Sequence, residues 1–439
     1  MPMDRSQTIF ALASAPGKAG VAIVRVSGAK AGLSINLLTG KKDIVPRQAR
    51  FLSLYDTGGV LIDRALVLFF QAPKSFTGED VAEFHLHGGR AVVDALCSVL
   101  TGDLGLRPAE PGEFTRRAVE NGKLDLTQAE AIADLVDAET EAQRRQAVRQ
   151  YEGVFGQKIE EWRDVLVRAL ALAEVDIDFS DEEVPEDSVG GGRILCAEVR
   201  EAISAQLADR RRGELIREGL QVAVIGPPNA GKSSLVNALA RRDVAIVSSI
   251  PGTTRDVIEV RLNLDGYAVV LADTAGLRDP TEEIEAEGVR RALQRAGEAD
   301  MVVLLRDGVL GENPINLPES MVNKPYITVW NKSDLFWPVP QEGLRVSATT
   351  GEGIDAVVAA IAAKAKEMLG GSAAPLTRPR HRYCLEEALS ALVRAQTAKE
   401  PELFAEDVRL ALRALGRIVG KVDVEDVLDI VFRDFCIGK

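Results

Sequence analysis

The chain has 439 residues, is 46% apolar and carries a formal net charge of −13. That length calls for two or three domains, and the acidic balance argues against a protein that coats nucleic acid. No apolar run approaches the roughly 20 residues of a membrane span, and the four cysteines (Cys97, Cys196, Cys384, Cys436) are too scattered for a metal knuckle or a disulfide framework. With no signal or transit character in Met1-Pro-Met-Asp-Arg-Ser6, a reducing cytoplasm and no membrane association are expected.

Residues 1–120 are Gly-rich and slightly basic, with short strands such as Gly20–Val26 and Ala65–Phe70. His85 and His87 alternate on another such stretch; with no third ligand nearby, structural histidines are expected rather than a metal site. Residues 121–216 turn helical and strongly acidic. Thr127-Gln-Ala-Glu130 reads as a capping box, and Ile132, Leu135 and Val136 as the start of an apolar stripe. Ile159, Trp162, Leu166, Ala169, Leu170 and Ala173 have the spacing of a second helix. An α/β segment occupies 217–371 and closes on the linker-like Gly370-Gly-Ser-Ala-Ala-Pro375. Residues 372–439 are helical again, with Leu385, Leu389, Leu392 and Val393 on one face.

An α/β segment bracketed by helices suggests insertion into a helical domain whose two flanks pack on each other. The expected fold is a multidomain α/β protein. It has an N-terminal α+β domain (1–120), an all-α domain in two parts (121–216 and 372–439) and an inserted Ras-like P-loop domain (217–371).

The inserted segment carries the chemistry. Gly226-Pro-Pro-Asn229-Ala230-Gly231-Lys232-Ser233 is a complete phosphate loop, set between a buried strand, Leu220–Ile225, and a helix that begins near Ser234. Its glycines let backbone amides curl around phosphates, Lys232 reaches the β- and γ-oxygens, and Ser233 offers a hydroxyl to Mg²⁺. Asp273, Thr274, Ala275 and Gly276 follow the apolar run Ala268–Ala272, where Asp273 can hold Mg²⁺ through water and Gly276 can meet the γ-phosphate. Asn331, Lys332, Ser333 and Asp334 follow the strand Tyr326–Trp330, and Asp334 can accept from a guanine's ring N–H and exocyclic amine. Adenine has no matching donors. Ser347, Ala348 and Thr349, after Leu344-Arg-Val346, are placed to pack over the base and offer an amide to its carbonyl. Each short motif is weak alone, but four in register along one α/β unit identify GTP.

Between the phosphate loop and Asp273 lies Ser248-Ser249-Ile250-Pro251-Gly252-Thr253-Thr254-Arg255-Asp256, where a nucleotide switch would sit. Thr254 is placed to complete the Mg²⁺ shell while a γ-phosphate is present. Leu277 stands where Ras-type GTPases carry a water-orienting Gln. Downstream, Thr281-Glu-Glu-Ile-Glu285-Ala-Glu287 reads, from its residues alone, as a solvated Glu-rich helix start.

These motifs have further company. Ser75-Phe-Thr-Gly-Glu-Asp80, His87-Gly-Gly89, Pro111-Gly-Glu-Phe114, Lys123-Leu-Asp-Leu126, Ala129-Glu-Ala-Ile-Ala-Asp134 and Phe435-Cys-Ile-Gly-Lys439 run from one end of the chain to the other. Together with Gly252-Thr-Thr-Arg-Asp256 and Asp273-Thr-Ala-Gly-Leu-Arg278, they resemble the MnmE (TrmE) family of bacterial tRNA-modifying GTPases over essentially the whole length. The resemblance implies a folate-binding, dimerising first domain, a helical domain and an inserted G domain. It implies a homodimer that joins a flavin-dependent MnmG-type partner in a heterotetramer. The complex would add an aminomethyl or carboxymethylaminomethyl group at C5 of the wobble uridine of tRNA. GTP hydrolysis is needed, and 5-formyltetrahydrofolate or a related tetrahydrofolate supplies the methylene carbon.

Carried over by position, the resemblance makes Asn229, Ser248, Ile250 (backbone) and Thr253 a K⁺ cage and Ser233 and Thr254 the Mg²⁺ ligands. K⁺ would then do the work of an arginine finger. Glu285 falls where the family's water-orienting glutamate lies, which makes it the catalytic partner of Lys232. Arg25, Glu83, Lys123 and Lys439 match folate-binding positions; from composition alone Arg25 is a surface charge. Cys436 is a candidate for a chemical role, against simple packing of a C-terminal tail. Two other functions stand beside this one. A GTP-switched ribosome assembly factor would want a basic RNA-binding module, which this acidic chain lacks. A folate-dependent transferase with a regulatory GTPase would work without the flavoprotein.

Overall fold

The computed structural model describes residues 7–178, 188–242, 244–246, 259–272, 297–310, 324–335, 342–371 and 375–422, with 428, 431–432, 435 and 438. They fall into two compact units, one of Met1–Ala133, Gly153–Arg163 and Arg413–Lys439, the other of Asp134–Glu152 and Asp164–Leu412. None of the described helices is long and apolar enough to cross a membrane.

The first unit is built on a sheet of strands β1 (Ile9–Leu12), β2 (Ala19–Ser27), β3 (Arg50–Tyr55), β4 (Leu61–Phe70), β5 (Val81–Gly88) and β6 (Arg107–Pro108). Their order is β3-β4-β5-β2-β1-β6, antiparallel except for the β1–β6 pair. The period-2 pattern of β1 shows why both its faces are covered. Phe10 joins one core with Val24, Val67 and Phe84, while Ile9 and Ala11 join another with Phe114. Helices α1 (Ala31–Thr39) and α2 (Arg90–Gly102) cover the first of these faces through Ile35, Leu38, Leu96 and Leu100. Helix α3 (Glu113–Glu120) brings Phe114 to the other.

Helix α4 (Leu126–Asp137) begins one residue before the expected capping box. The residue that caps it is Asp125: its Oδ1 accepts from the Gln128 amide at 2.9 Å, and Gln128 Oε1 accepts from the Asp125 amide at 3.0 Å. Thr127 instead donates its hydroxyl to Asp125 at 2.7 Å. The α4 stripe also differs from expectation. Leu126 and Ala129 are buried with Leu428, Phe432 and Phe435, whereas Leu135, nine residues and half a turn of the helical wheel from Leu126, is exposed with Val136. A second reciprocal box of the same kind opens α5 (Glu141–Tyr151), between Thr140 and Gln143.

Helix α6 (Val154–Asp178) buries Ile159, Trp162, Leu166, Ala169 and Ala173, as their spacing predicts. Helix α7 (Ser188–Leu207) packs against α11 (Pro379–Thr397), whose proline sits in the first turn where its missing N–H costs nothing. On α11 the buried face runs through Cys384, Leu385, Ala388, Ala391, Leu392 and Ala395. Val393 is 49% exposed, because eight residues from Leu385 turn it 80° away from that face. Phe404, Val408, Ala411, Leu415 and Ile418 give α12 (Pro401–Val419) a continuous buried stripe.

In the second unit, strands β7 (Leu220–Ile225), β8 (Glu259–Leu264), β9 (Tyr267–Ala272), β10 (Met301–Asp307), β11 (Tyr326–Asn331) and β12 (Leu344–Arg345) form a second sheet. Its order is β12-β11-β10-β7-β9-β8, parallel except for the edge strand β8. Helices α9 (Lys232–Ala240) and α10 (Ile354–Leu369) bury Leu235, Leu239, Val357 and Ile361 against Val222, Val224, Val303 and Val329. Short α8 (Arg212–Glu218) leads into β7, and Arg212 Nη1 donates to the carbonyl of Gly370, just past α10, at 3.0 Å.

Candidate functional site

Five parallel strands end on one edge of the second sheet, the place where open α/β sheets bind ligands. The loop after β7 carries Gly226–Gly231. A Cβ on Gly226 would lie 2.2 Å from the Leu305 carbonyl, and one on Gly231 (φ +92°) would lie 2.2 Å from the Asn331 amide nitrogen. Both glycines are therefore required by close approach, not only by flexibility. Asn229 also takes a left-handed backbone, φ +60°, which turns the loop toward the start of α9. That helix begins at Lys232, so the backbone amides of its first turn lie at the loop, an arrangement suited to phosphate. Lys232 Nζ donates to the carbonyls of Gly226 and Pro227, each at 3.0 Å, which folds the ammonium across the loop mouth.

Asn331 binds the motif loops to one another. It is 3% exposed, donates Nδ2 to the Ala230 carbonyl at 2.7 Å and accepts the Ala348 amide on Oδ1 at 3.0 Å. Both ends of its side chain thus serve the protein, and the carboxylate left open for a base is the exposed Asp334. The Ser333 amide donates to the Val346 carbonyl at 3.0 Å, closing the β11 loop onto the β12 loop. In that second loop the Ser347 amide donates to the Glu352 carbonyl at 2.9 Å, and the Ser347 hydroxyl accepts the Thr350 amide at 3.1 Å. The amides of Ser347 and Ala348 are therefore engaged within the fold. Lys332 Nζ pairs with Asp307 at 2.6 Å.

Of the remaining nucleotide-site expectations, Ser248, Ser249, Ile250, Pro251, Gly252, Thr253, Thr254, Asp273, Thr274, Ala275, Gly276 and Glu285 lie outside the described residues. So do Cys436 and Lys439.

The first unit assembles a second cluster. Arg25 on β2 stands opposite Glu83 on β5, and its Nε and Nη2 both lie 2.9 Å from Glu83 Oε1. Two aromatic rings face the guanidinium, Phe76 at 5.5 Å and Phe114 at 5.8 Å. His85, two residues along the strand, brings Nε2 to 3.4 Å from Glu83 Oε2. Lys123 Nζ donates to the Pro73 carbonyl at 2.9 Å and Asn121 to the Thr77 carbonyl at 2.7 Å, so the end of α3 and the residues after it hold the loop that carries Phe76. Beneath that loop Arg117 bridges Glu113 at 2.9 Å and Glu79 at 3.1 Å, and Ser27 donates to Glu79 at 2.7 Å. Burial alone would raise the Glu113 pKa, but hydrogen bonds from Arg107, the Glu110 amide and Arg117 outweigh it and hold the carboxyl below its ordinary value. Gly438 reaches this unit too. Its α-carbon packs against the Leu12 carbonyl so closely that a Cβ would sit 2.2 Å away, one rung along the sheet from the Ala11–Arg25 pair.

Two family comparisons divide the chain where the structure changes character. "GTP-binding protein TrmE N-terminus" matches residues 8–123, and "MnmE helical domain" matches residues 126–436. Full-length relatives agree. A protein of Paramagnetospirillum magneticum is 54% identical over 99% of this chain and 100% of its own length. One of Parvibaculum lavamentivorans is 53% identical over 99% and 100%, and one of Rhodospirillum rubrum is 52% identical over 98% and 99%. Each carries the name "tRNA modification GTPase MnmE". The chain belongs to the MnmE family.

Within this MnmE chain, Arg25, Glu83 and Lys123 fall in the TrmE N-terminal match, and the nucleotide loops fall inside the helical-domain match. Sequence reasoning passed over Phe76, Phe114 and Asp307. Phe76 and Phe114 sat inside quoted motifs, but their meeting over Arg25 spans dozens of residues. For Asp307 a signal existed: an acid closing an apolar parallel strand stands at the ligand edge of the sheet.

Proposed function

We propose that this protein is a GTPase of tRNA modification, coupling hydrolysis of GTP to alteration of the wobble uridine. The observation that carries the reading is the joining of the phosphate loop, the Asn331 loop and the Ser347 loop by one buried amide, on a chain whose full-length relatives are tRNA modification GTPases. At the phosphate end, the amides at the start of α9 and the Lys232 ammonium receive the β- and γ-phosphates, with a modest shift of Lys232 off the Gly226 and Pro227 carbonyls. At the base end, Asp334 accepts the guanine N–H donors.

Ser233 in the first turn of α9 suits Mg²⁺, and Asn229, an oxygen-bearing side chain held in a left-handed turn, suits K⁺. Ser248, Ile250 and Thr253 are assigned to the same K⁺ cage and Thr254 to Mg²⁺ on sequence grounds. An ion held by these residues would counter the negative charge that develops on the phosphate oxygens in the transition state. Glu285 is assigned to orient the attacking water.

In the first unit, the Arg25–Glu83 pair between two aromatic rings suits a flat heterocycle rich in N–H donors, with Lys123 for an anionic tail. That chemistry supports tetrahydrofolate as the one-carbon donor, with Lys439 as a further contact and Cys436 as a residue to test for chemistry. A homodimer working with a flavin-dependent partner on tRNA completes the proposal. Nucleoside analysis of tRNA from a deletion strain tests it. Loss of the C5 group from wobble uridines is expected, and an unchanged wobble position would refute the reading.

A further inference from the structure

Strand β10 ends at Asp307, which is 4% exposed and stands beside Asn331 in the parallel register. A carboxylate buried at a strand end needs partners, and this one accepts from Lys332 Nζ at 2.6 Å, from the Val309 amide at 2.9 Å and from the Leu310 amide. Burial would push its pKa up; Lys332 and the turn amides outweigh that and hold it below the ordinary carboxylate value.

The ion pair is not needed to join the strands, because the Gly308 amide already donates to the Asn331 carbonyl at 3.0 Å. Its effect falls on Lys332. This residue lies between the Asn331 tether and the open Asp334, takes a left-handed backbone of φ +70°, and has a side chain 32% exposed. With the ammonium bound to Asp307, the four-carbon stem is fixed as a half-open apolar surface. We propose that Asp307 is a positioning residue for guanine-nucleotide binding: it holds the Lys332 stem as a shelf for the purine ring. It also keeps the ammonium away from Asp334, two residues on, whose carboxylate must stay free to read the base. The proposal rests on the reading of this edge as a GTP site.

Asp307→Asn is the informative change, since an amide oxygen still accepts from Val309 and Leu310 while the charge that holds Lys332 is gone. Binding of fluorescent mant-GDP and mant-GTP to the full chain should weaken about tenfold, on the scale of the rotamer freedom one lysine regains. KM for GTP should rise by the same factor with kcat retained, and the melting temperature of the nucleotide-free protein should stay with the wild type. Adding Lys332→Met, whose stem has no charge to swing onto Asp334, should recover most of the loss. Wild-type affinity in Asp307→Asn, a parallel fall in kcat and melting temperature, or a double variant no better than the single one would each overturn the proposal. If the wild type itself bound no guanine nucleotide, the GTP-site reading would fall, and this proposal with it.

Discussion

Asn331 and Asp334 come from one four-residue motif, yet the fold gives them different work. The first is buried and holds three loops together, while the second is open to solvent. On the proposed reading, specificity for the base therefore concentrates on the Asp334 carboxylate. Asp334→Asn replaces an acceptor by a group that can donate, so preference should move from GTP toward xanthosine triphosphate; strict retention of GTP in competition assays would disprove this assignment. Glu113 makes a second residue-level case. Its folded pKa lies below the ordinary 4.5, so the stability it contributes is complete above that value and is lost as pH falls through the folded pKa. Urea unfolding of wild type and Glu113→Gln should show a gap at neutral pH that closes in acid, and a gap independent of pH would refute the sign.

At the scale of elements, the parallel strands were the most legible part of the sequence. A strand buried on both faces reads as an unbroken apolar run, and Leu220–Ile225 and Tyr267–Ala272 stand where such runs lie. Helix α4 was harder. Its apolar residues keep helical spacing from Ile132 onward, but the face in use was already set by Leu126 and Ala129. Nothing local separates two possible faces of one helix when the deciding contacts, Phe432 and Phe435, lie some three hundred residues away. Its cap was displaced for a related reason: Asp125 and Thr127 both suit the role, and the chain turns at the earlier one. Asp125→Ala should lower stability by about 1 kcal/mol, the usual worth of such a cap, measured by denaturant midpoint; no change would mean that the Thr127 hydroxyl takes over. The Arg25 cluster was legible as positions but not as an assembly. Its Glu83, Phe76 and Phe114 are brought together by a cross-strand rung and a loop, and neither leaves a periodic trace in sequence.

At the scale of the whole molecule, the proposed K⁺ cage has a consequence for the proposed homodimer. Asn229 stands at the loop mouth, where a second G domain facing it would close the site to water and bring hydrolysis under the control of assembly. GTP turnover should then be much faster in K⁺ than in Na⁺, and dimerisation of the nucleotide-binding domains should follow the same ion order. Equal rates in the two salts would remove the cage from the mechanism.

The 3.0 Å bond from Arg212 to Gly370 means that the chain enters and leaves the nucleotide-binding sheet at nearly one point. A segment of some hundred and fifty residues with its two ends side by side is a detachable cassette. Bridging its base with a few residues would cost little loop-closure entropy, since that cost grows only with the logarithm of length. A present-day chain cut and rejoined there should yield two soluble products, a helical body without nucleotide and a free-standing GTP binder.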